Sequence, residues 1–395
     1  MSGLSAERHP VILVLNAGSS SIKFDLYAGQ SELVRGQIEG LGASPKLKAI
    51  RLADGLDLSQ PLSREDGHDH KSALGVLLAL IAETAPGLEV RAVGHRVVHG
   101  GITHDTPVIV TADVLAALEK LVPLAPLHQP HNLAGIRAAG AAFPSAVQVA
   151  CFDTAFHRAH PWVNDTFALP RALYDEGVRR YGFHGLSYEY ITEHLRQTRP
   201  QAAVGRLVVA HLGNGASMCA INNGRSIGST MGFTALDGLP MGTRCGQLDP
   251  GVVLYLMAEK GMGAEAISDL LYKQSGLKGL SGLSQDMREL EGADTAEARQ
   301  AIEYFVFRVK RELGAMAAIL SGLDTLVFTG GIGENAANVR AAVCRDLDWL
   351  GVVLDEARNK ARETVISSDD SRVAVLVIPT NEEEMIRRHT AALIG

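Results

Sequence analysis

Three times along this chain an apolar strand runs straight into a glycine-rich turn: NAGSSS at 16–21, HLGNGAS at 211–217 and FTGGIGEN at 328–335. Glycine tolerates φ > 0 and lets backbone N–H groups approach an anion, while Ser and Asn add donors that carry no charge. The three turns read as walls of one polyphosphate site. Two of them are framed alike, because VILVLNAGSSSIKFDLYAG and RLVVAHLGNGASMCAINNGRS each read as an incoming strand, a turn, an outgoing strand and a glycine stop. That repetition suggests a second half duplicated from the first.

Between the turns, strands alternate with helices, which is the pattern of an α/β fold. Helices are expected over 72–83, 112–121, 133–142, 295–321 and 335–350 and from Glu382 onward, and strands over 90–98, 147–153, 325–333 and 373–380; 41–71 reads as loop. With 395 residues, 46% of them apolar, the chain exceeds one ordinary core, and a division near 153–170 is expected, the last helix returning to the first domain. A net charge of -7, a pI near 6.1 and no Lys/Arg run argue against a nucleic-acid partner. Cys151, Cys219, Cys245 and Cys344 are scattered and form no C-x-x-C pair, which fits a reducing cytosol. VILVL is too short for a signal segment and the longest apolar stretch, 73–82, is too short to span a bilayer, so the expected location is cytoplasmic, without a membrane.

Each chemical motif also has a plainer explanation. NAGSSSIKF is compatible with a simple tight turn, yet Ser19, Ser21 and Lys23 could hold and neutralise phosphate oxygens, and Asn16 could orient a metal or the transferred group. Gly331, Gly333 and Ala336 spell G-x-G-x-x-A, and Asp355 ends the strand-like GVVLD, so an NAD-dependent dehydrogenase is an alternative. That alternative leaves the other two turns without a task. Arg96 in GHRVVHGG, His184 in RRYGFHGLS and Arg244 in GLPMGTRCGQLDP could each be surface or core residues, but all three share loops with glycines, and fixed cations beside open backbone suit phosphoryl transfer. Asp153 at the end of VQVACFD and Glu382 at a helix start could supply the one or two carboxylates that Mg2+ takes, although a helix dipole alone accounts for acidic residues at 382–384. Neither H-E-x-x-H nor a P-loop signature is present.

Taken in order, NAGSSSIKF, GHRVVHGG, FHGLS, HLGNGAS, MGTRCGQLDP, GGIGEN and PTNEE resemble the signatures of the acetate kinase family, within the acetate and sugar kinase, heat-shock cognate and actin superfamily. The resemblance runs nearly end to end. It implies two ribonuclease-H-like (actin-like ATPase) domains, 1–153 with 383–395 and 154–382, with a cleft between them and a homodimer formed through the second. It implies Mg2+ or Mn2+ at Asn16 and Glu382, catalytic roles for Arg96, Asp153, His184 and Arg244, and the substrate carboxylate on Arg96. ATP would meet His211, Leu212, Gly213, Asn214 and Gly215, then Asp286, Met287 and Arg288, then Gly331, Ile332, Gly333, Glu334 and Asn335. Val98, Leu127, Phe183 and Ala235 would line the pocket for the alkyl end of the acid, Ala235 standing where the family has proline and leaving more room around a methyl group. The implied reaction is direct in-line transfer from ATP to acetate, giving acetyl phosphate and ADP. Propionate and butyrate remain alternatives because one methylene is worth only about 1–3 kcal/mol. A nucleotide switch acting through a protein partner is a third reading, with little use for Arg96 and an apolar pocket.

Overall fold

The computed structural model describes residues 9–18, 21–84 and 87–395, and the chain divides into two compact units, 1–155 with 381–395 and 156–380. Glu382, expected in the second domain, packs with the first unit. Ser19 lies outside the described residues.

The first unit carries β1 (His9–Ala17), β2 (Ser21–Ala28), β3 (Ser31–Glu39), β4 (Lys46–Arg51), the two-residue β5 (Leu56–Asp57) and β6 (Gln60–Pro61), β7 (Leu88–Val97), β8 (Val108–Ile109) and β9 (Val147–Phe152). Their path is β5-β4-β3-β2-β1-β7-β9-β8, with β6 on β4. Val11 through Leu15 are all buried, as a continuous apolar run must be when both faces of its strand are covered. Helices His70–Thr84 and Gln129–Ala142 share a core with β1 through Leu74, Leu77, Ala139, Leu13 and Leu15, and the C-terminal helix Glu382–Ile394 packs on β1 and β7. The segment expected to be loop contains β4, and β3 precedes it. These strands escape a reading by apolar run because only alternate residues face inward: Val34, Ile38, Leu47 and Ala49 are buried, while Lys46, Lys48 and Arg35 point outward.

In the second unit β10 (Arg206–Leu212), β11 (Ala216–Asn222), β12 (Arg225–Ser229), β13 (Thr325–Thr329) and β14 (Ala374–Val377) follow the order β12-β11-β10-β13-β14. It repeats the first unit's β3-β2-β1-β7-β9: three antiparallel strands, then two parallel additions. Helix Gly185–Thr198 packs Tyr188, Ile191 and Leu195 against Leu207, Val209 and Ile221, and helix Ala296–Ile319 packs on β10 and β11.

Three expectations fail here. The strand expected over 325–333 ends at Thr329, GGIGEN forming helix Gly330–Asn335, and the helix expected over 335–350 begins only after Ala336 (φ -90, ψ 83) and runs over Ala337–Cys344. GVVLD is not a sheet strand: Leu354 forms an isolated bridge with Ser367, and Asp355 caps helix Glu356–Ala361 by accepting from the N–H groups of Ala357 and Arg358. With its carboxylate committed to a helix cap, Asp355 cannot close a dinucleotide fingerprint.

Candidate active site

In the first unit β1, β7 and β9 run parallel, so their C-terminal ends share one edge of the sheet. Asn16 lies at the end of β1, Arg96 near the end of β7, and Asp153 follows β9, its N–H donating to Val97 O at 3.0 Å. Arg96 donates through Nε to Asp153 Oδ1 at 2.9 Å and through Nη2 to Oδ2 at 2.7 Å, a bidentate pair of the strong kind. Its Nη1 lies 3.4 Å from Glu382 Oε2. Burial acts to lower the Arg96 pKa, but Asp153 and Glu382 together hold it above its ordinary value. Burial pushes the Glu382 carboxyl up to about 7; Arg96 and Lys23 pull it down, while Asp153 and Glu383 raise it further.

The cluster is therefore short of positive charge. Among the described residues no group of three or more His, Cys, Asp or Glu could hold a metal ion. An oxygen-seeking cation that keeps most of its waters needs only one or two protein oxygens, which Glu382 and Asn16 could supply. Lys23, exposed, pairs with Asn16 across the β1–β2 hairpin, and Ser21 is half-buried at the start of β2.

Asn132 and Gln129, not foreseen in the sequence, brace the loop that follows Arg96. The buried Asn132 amide accepts from Val98 N–H at 3.0 Å and donates to Ala17 O at 2.8 Å, tying the ends of β7 and β1 together. Gln129 accepts from His99 N–H and donates to His99 O. The available signal was two amides three residues apart on the buried side of a helix, directly after LAPLH. Of the expected alkyl pocket, this unit contributes Val98, buried, and Leu127, half-buried.

In the second unit β10 and β13 are parallel neighbours, and HLGNGAS and GGIGEN leave the sheet at their C-terminal ends. Gly330 has φ +77, and a Cβ there would lie 2.8 Å from Leu212 O, so only glycine lets β13 turn directly into its helix. A cleft of about 770 Å3 is lined by Gly213, Asn214, Asp286, Met287, Arg288, Gly331, Ile332 and Asn335, all expected at the nucleotide, and by Gln285, Glu291, Ala336 and Arg362, which were not. That volume suits a nucleotide-sized ligand. Arg362 could not be read from sequence because it sits beyond a short helix, in the left-handed region (φ 57), and reaches back to Asn335 Oδ1 at 3.1 Å.

Other expected nucleotide residues stand behind this wall. Leu212 and Gly333 are buried, and Glu334 braces the turn by accepting from Gly330 N–H at 2.9 Å. His211 lies within 2.9 Å of Ser187 Oγ through Nδ1, and its ring stacks on His184 at 4.3 Å. His184 precedes helix Gly185–Thr198 in the left-handed conformation (φ 57, ψ 25), with Nδ1 2.8 Å from Ser217 Oγ. Tyr188 OH also bonds that serine oxygen. Arg244 donates through Nη1 to Ala235 O at 2.8 Å. A Cβ on Gly215 would stand 3.3 Å from His184 Nε2 and 3.6 Å from Arg244 Nη2, so an imidazole, a guanidinium and a glycine turn converge. Phe183 is buried next to His184, and Ala235 is half-buried.

Residues 11–388 match the Acetokinase family. The chain is 59% identical over 404 aligned positions to an acetate kinase of Methylocella silvestris, covering 97% of this chain and 98% of that protein. Among solved structures, it is similar to an acetate kinase of Porphyromonas gingivalis at 39% identity and a TM-score of 0.87, covering 98% of this chain and 100% of that one. It is similar also to a propionate kinase of Francisella tularensis, at 38% identity and a TM-score of 0.91, covering 97% and 99%.

Proposed function

This chain belongs to the acetokinase family, and from that premise we propose that it transfers the terminal phosphoryl group of ATP to acetate, reversibly, giving acetyl phosphate and ADP. The observation that carries the reading is the convergence of His184 Nε2 and Arg244 Nη2 on Gly215, the glycine beside Gly213 and Asn214 of the nucleotide-sized cleft.

The reaction drives one anion against another. Two unit charges about 4 Å apart repel by about 4 kcal/mol at an effective dielectric near 20, roughly a thousandfold in rate if nothing offsets it. Arg244 and His184 donate to the equatorial oxygens of the transferring group, where charge spreads in the transition state. Acetate resembles an Asp side chain, with a pKa of about 4, so it is ionised at neutral pH and needs no general base. Asp153 therefore works through Arg96: its bidentate grip fixes the guanidinium plane presented to the substrate carboxylate. The cleft between Asp286–Arg288 and Gly331–Asn335 takes the nucleoside. Asn16 and Glu382 would hold Mg2+, which would neutralise phosphate charge. In the first unit, Val98 and Leu127 are the side chains offered to the methyl group.

The proposal includes a homodimer. Helix Pro250–Ala258 reads PGVVLYLMA, none of its residues is buried, and Leu254, Tyr255 and Met257 are each more than half exposed, an apolar face suited to a second copy of itself. Among the described residues no helix is long and apolar enough to cross a membrane, and the cysteine pattern supports a cytoplasmic location.

The test is acetate-dependent release of ADP with the acyl phosphate trapped by hydroxylamine as acetyl hydroxamate. ATP consumption without hydroxamate would end the proposal. Parallel assays with propionate and butyrate should give acetate the highest kcat/KM, by about tenfold over butyrate.

A further inference from the structure

Behind His184 the backbone is held in an unusual state. Gly182 has φ +75 and His184 φ +57, two left-handed residues flanking Phe183. A non-glycine residue persists in that region only where its surroundings over-determine it. The amides of Tyr181 and Gly182 both donate to Gly232 O, at 2.9 and 3.3 Å, and Tyr188 N–H donates to His184 O at 3.1 Å. The carbonyl of Phe183 lies 2.9 Å from Nε2 of His157. His157 is fully buried, and Gly182 lies so close to its ring that a Cβ would sit 2.6 Å from Cγ and Cδ2.

The polar groups around His157 fix where each proton sits. A carbonyl can only accept, so Nε2 of His157 carries the hydrogen and Nδ1 is the acceptor. Ser226 Oγ, 2.8 Å from that Nδ1, must donate its single proton to it. His160 Nε2, 2.7 Å from the same oxygen, must then be the donor to it. This leaves His160 Nδ1 bare, and it is indeed a buried nitrogen without a hydrogen-bond partner. Cys219 Sγ at 3.2 Å can supply the second hydrogen that the serine oxygen accepts. Burial supports this assignment, since it pushes His157 down to about 4 and His160 to about 2, keeping both neutral, and the Cys219 thiol up to about 12.

We propose that His157, locked in one tautomer by Ser226 and His160, is a positioning residue for His184: by holding the Phe183 carbonyl it fixes the left-handed turn that aims His184 Nε2 at Gly215. The inference rests on the reading of His184 as a donor to the transferring phosphoryl group. No motif in the sequence pointed to these residues, because FHRAH and GRS carry no recognisable spacing.

The experiment is a double-mutant cycle on the full chain, with kcat and both KM values measured by the hydroxamate assay. His157→Leu removes the donor, and kcat should fall about ten- to a hundredfold, with the KM values for ATP and acetate within about threefold of the parent. His157→Gln can still donate from its amide and should recover most of that loss. Ser226→Ala frees the tautomer and should cost about threefold. In a His184→Ala background, His157→Leu should cost nothing further, because its effect runs through a group already removed. An unchanged kcat in His157→Leu, a failure of His157→Gln to recover, or full additivity with His184→Ala overturns the proposal. A silent His184→Ala overturns it together with the reading on which it rests, and so separates the two failures. Should His157→Leu not fold, His157→Gln and Ser226→Ala carry the same cycle: smaller losses that vanish in the His184→Ala background sustain the proposal, and additive losses overturn it.

Discussion

At the ends of β7 and β9 the first unit gathers Arg96, Asp153 and Glu382 into a tight ionic cluster, while at the ends of β10 and β13 the second unit presents glycine backbone, two stacked histidines and Arg244. The two sheets share one strand order, so topology does not account for the difference. Chemistry does. A cluster of buried carboxylates must be held by cations or it protonates, which is why Arg96 is gripped at both ends and why Glu382 is pushed up to about 7. A nucleotide arrives with its own negative charge, so at the ends of β10 and β13 the second unit offers donors: glycine backbone, His184 and Arg244. On this view the first unit is tuned to hold cations, and the second to meet phosphate.

The sharpest way to break that contrast is to remove the second unit's converging guanidinium. Arg244→Ala should lower kcat by about a thousandfold while the KM for ATP moves by less than about threefold, as befits a group whose contact strengthens in the transition state. Steady-state kinetics over a range of ATP concentrations checks it. A pure KM effect would make Arg244 a nucleotide clamp. In the first unit, Asp153→Asn should cost about a hundredfold in kcat even with saturating Mg2+, because an amide offers one acceptor where Arg96 now grips two. Near-normal activity in that variant would remove Asp153 from the mechanism.

The contrast also shows why some of this molecule was legible in its sequence. The α/β class and the repeated strand-turn-strand were readable because β1 and β10 are continuous apolar runs ending in glycine turns, a local signal. β3 and β4 were not, since each hides an inward face of two residues among charges. The eight cleft residues that the sequence suggested sit in three glycine- or acid-marked turns and the helix starts they lead into, whereas Arg362 reaches the cleft only because a short helix ends there. Asn132, Gln129 and His157 act through backbone groups distant in sequence, and no spacing rule registers such contacts.

The first unit's excess of negative charge extends to Asp25. Asp25 is buried on β2, and its carboxyl is pushed up to about 7 by that burial, with Glu383 and Glu32 adding to it and Arg35 and the Tyr27 hydroxyl opposing. Unfolded, the group titrates near 3.8, so between the two values the folded state holds a proton that the unfolded chain releases. Stability is therefore lost as pH rises from about 4 to 7. A shift of about three units sets a ceiling near 4 kcal/mol, and relaxation around the charge should reduce the observed effect to about 2 kcal/mol. Asp25→Asn should stabilise the protein by that amount at pH 8 and by nearly nothing at pH 4, in denaturant titrations at both values. Equal effects at the two pH values would confine the charge excess to the catalytic cluster.

The smallest expected effect compares two helix caps. Thr295 accepts from Ala298 N–H at 3.2 Å at the start of helix Ala296–Ile319, whose buried face (Ala301, Phe305, Val309, Leu313) supports β10 and β11. Asn381 accepts from Glu384 N–H at 2.9 Å at the start of the C-terminal helix, directly beside Glu382. Each cap replaced by alanine should cost about 1 kcal/mol, because each leaves a helix N–H without its partner. Their effects on turnover should differ. Thr295→Ala should leave kcat and the Mg2+ requirement unchanged, since no residue of its helix is proposed to touch the nucleotide, the acid or Mg2+. Asn381→Ala loosens the first turn that carries Glu382, and should raise the Mg2+ concentration for half-maximal rate by about threefold or more for the same loss of stability. Thermal unfolding and Mg2+ titration of both variants decide the point: if Asn381→Ala changes stability alone, then Glu382 is held by Arg96 rather than by its helix, and the first unit's cluster is set by ion pairing with no help from secondary structure.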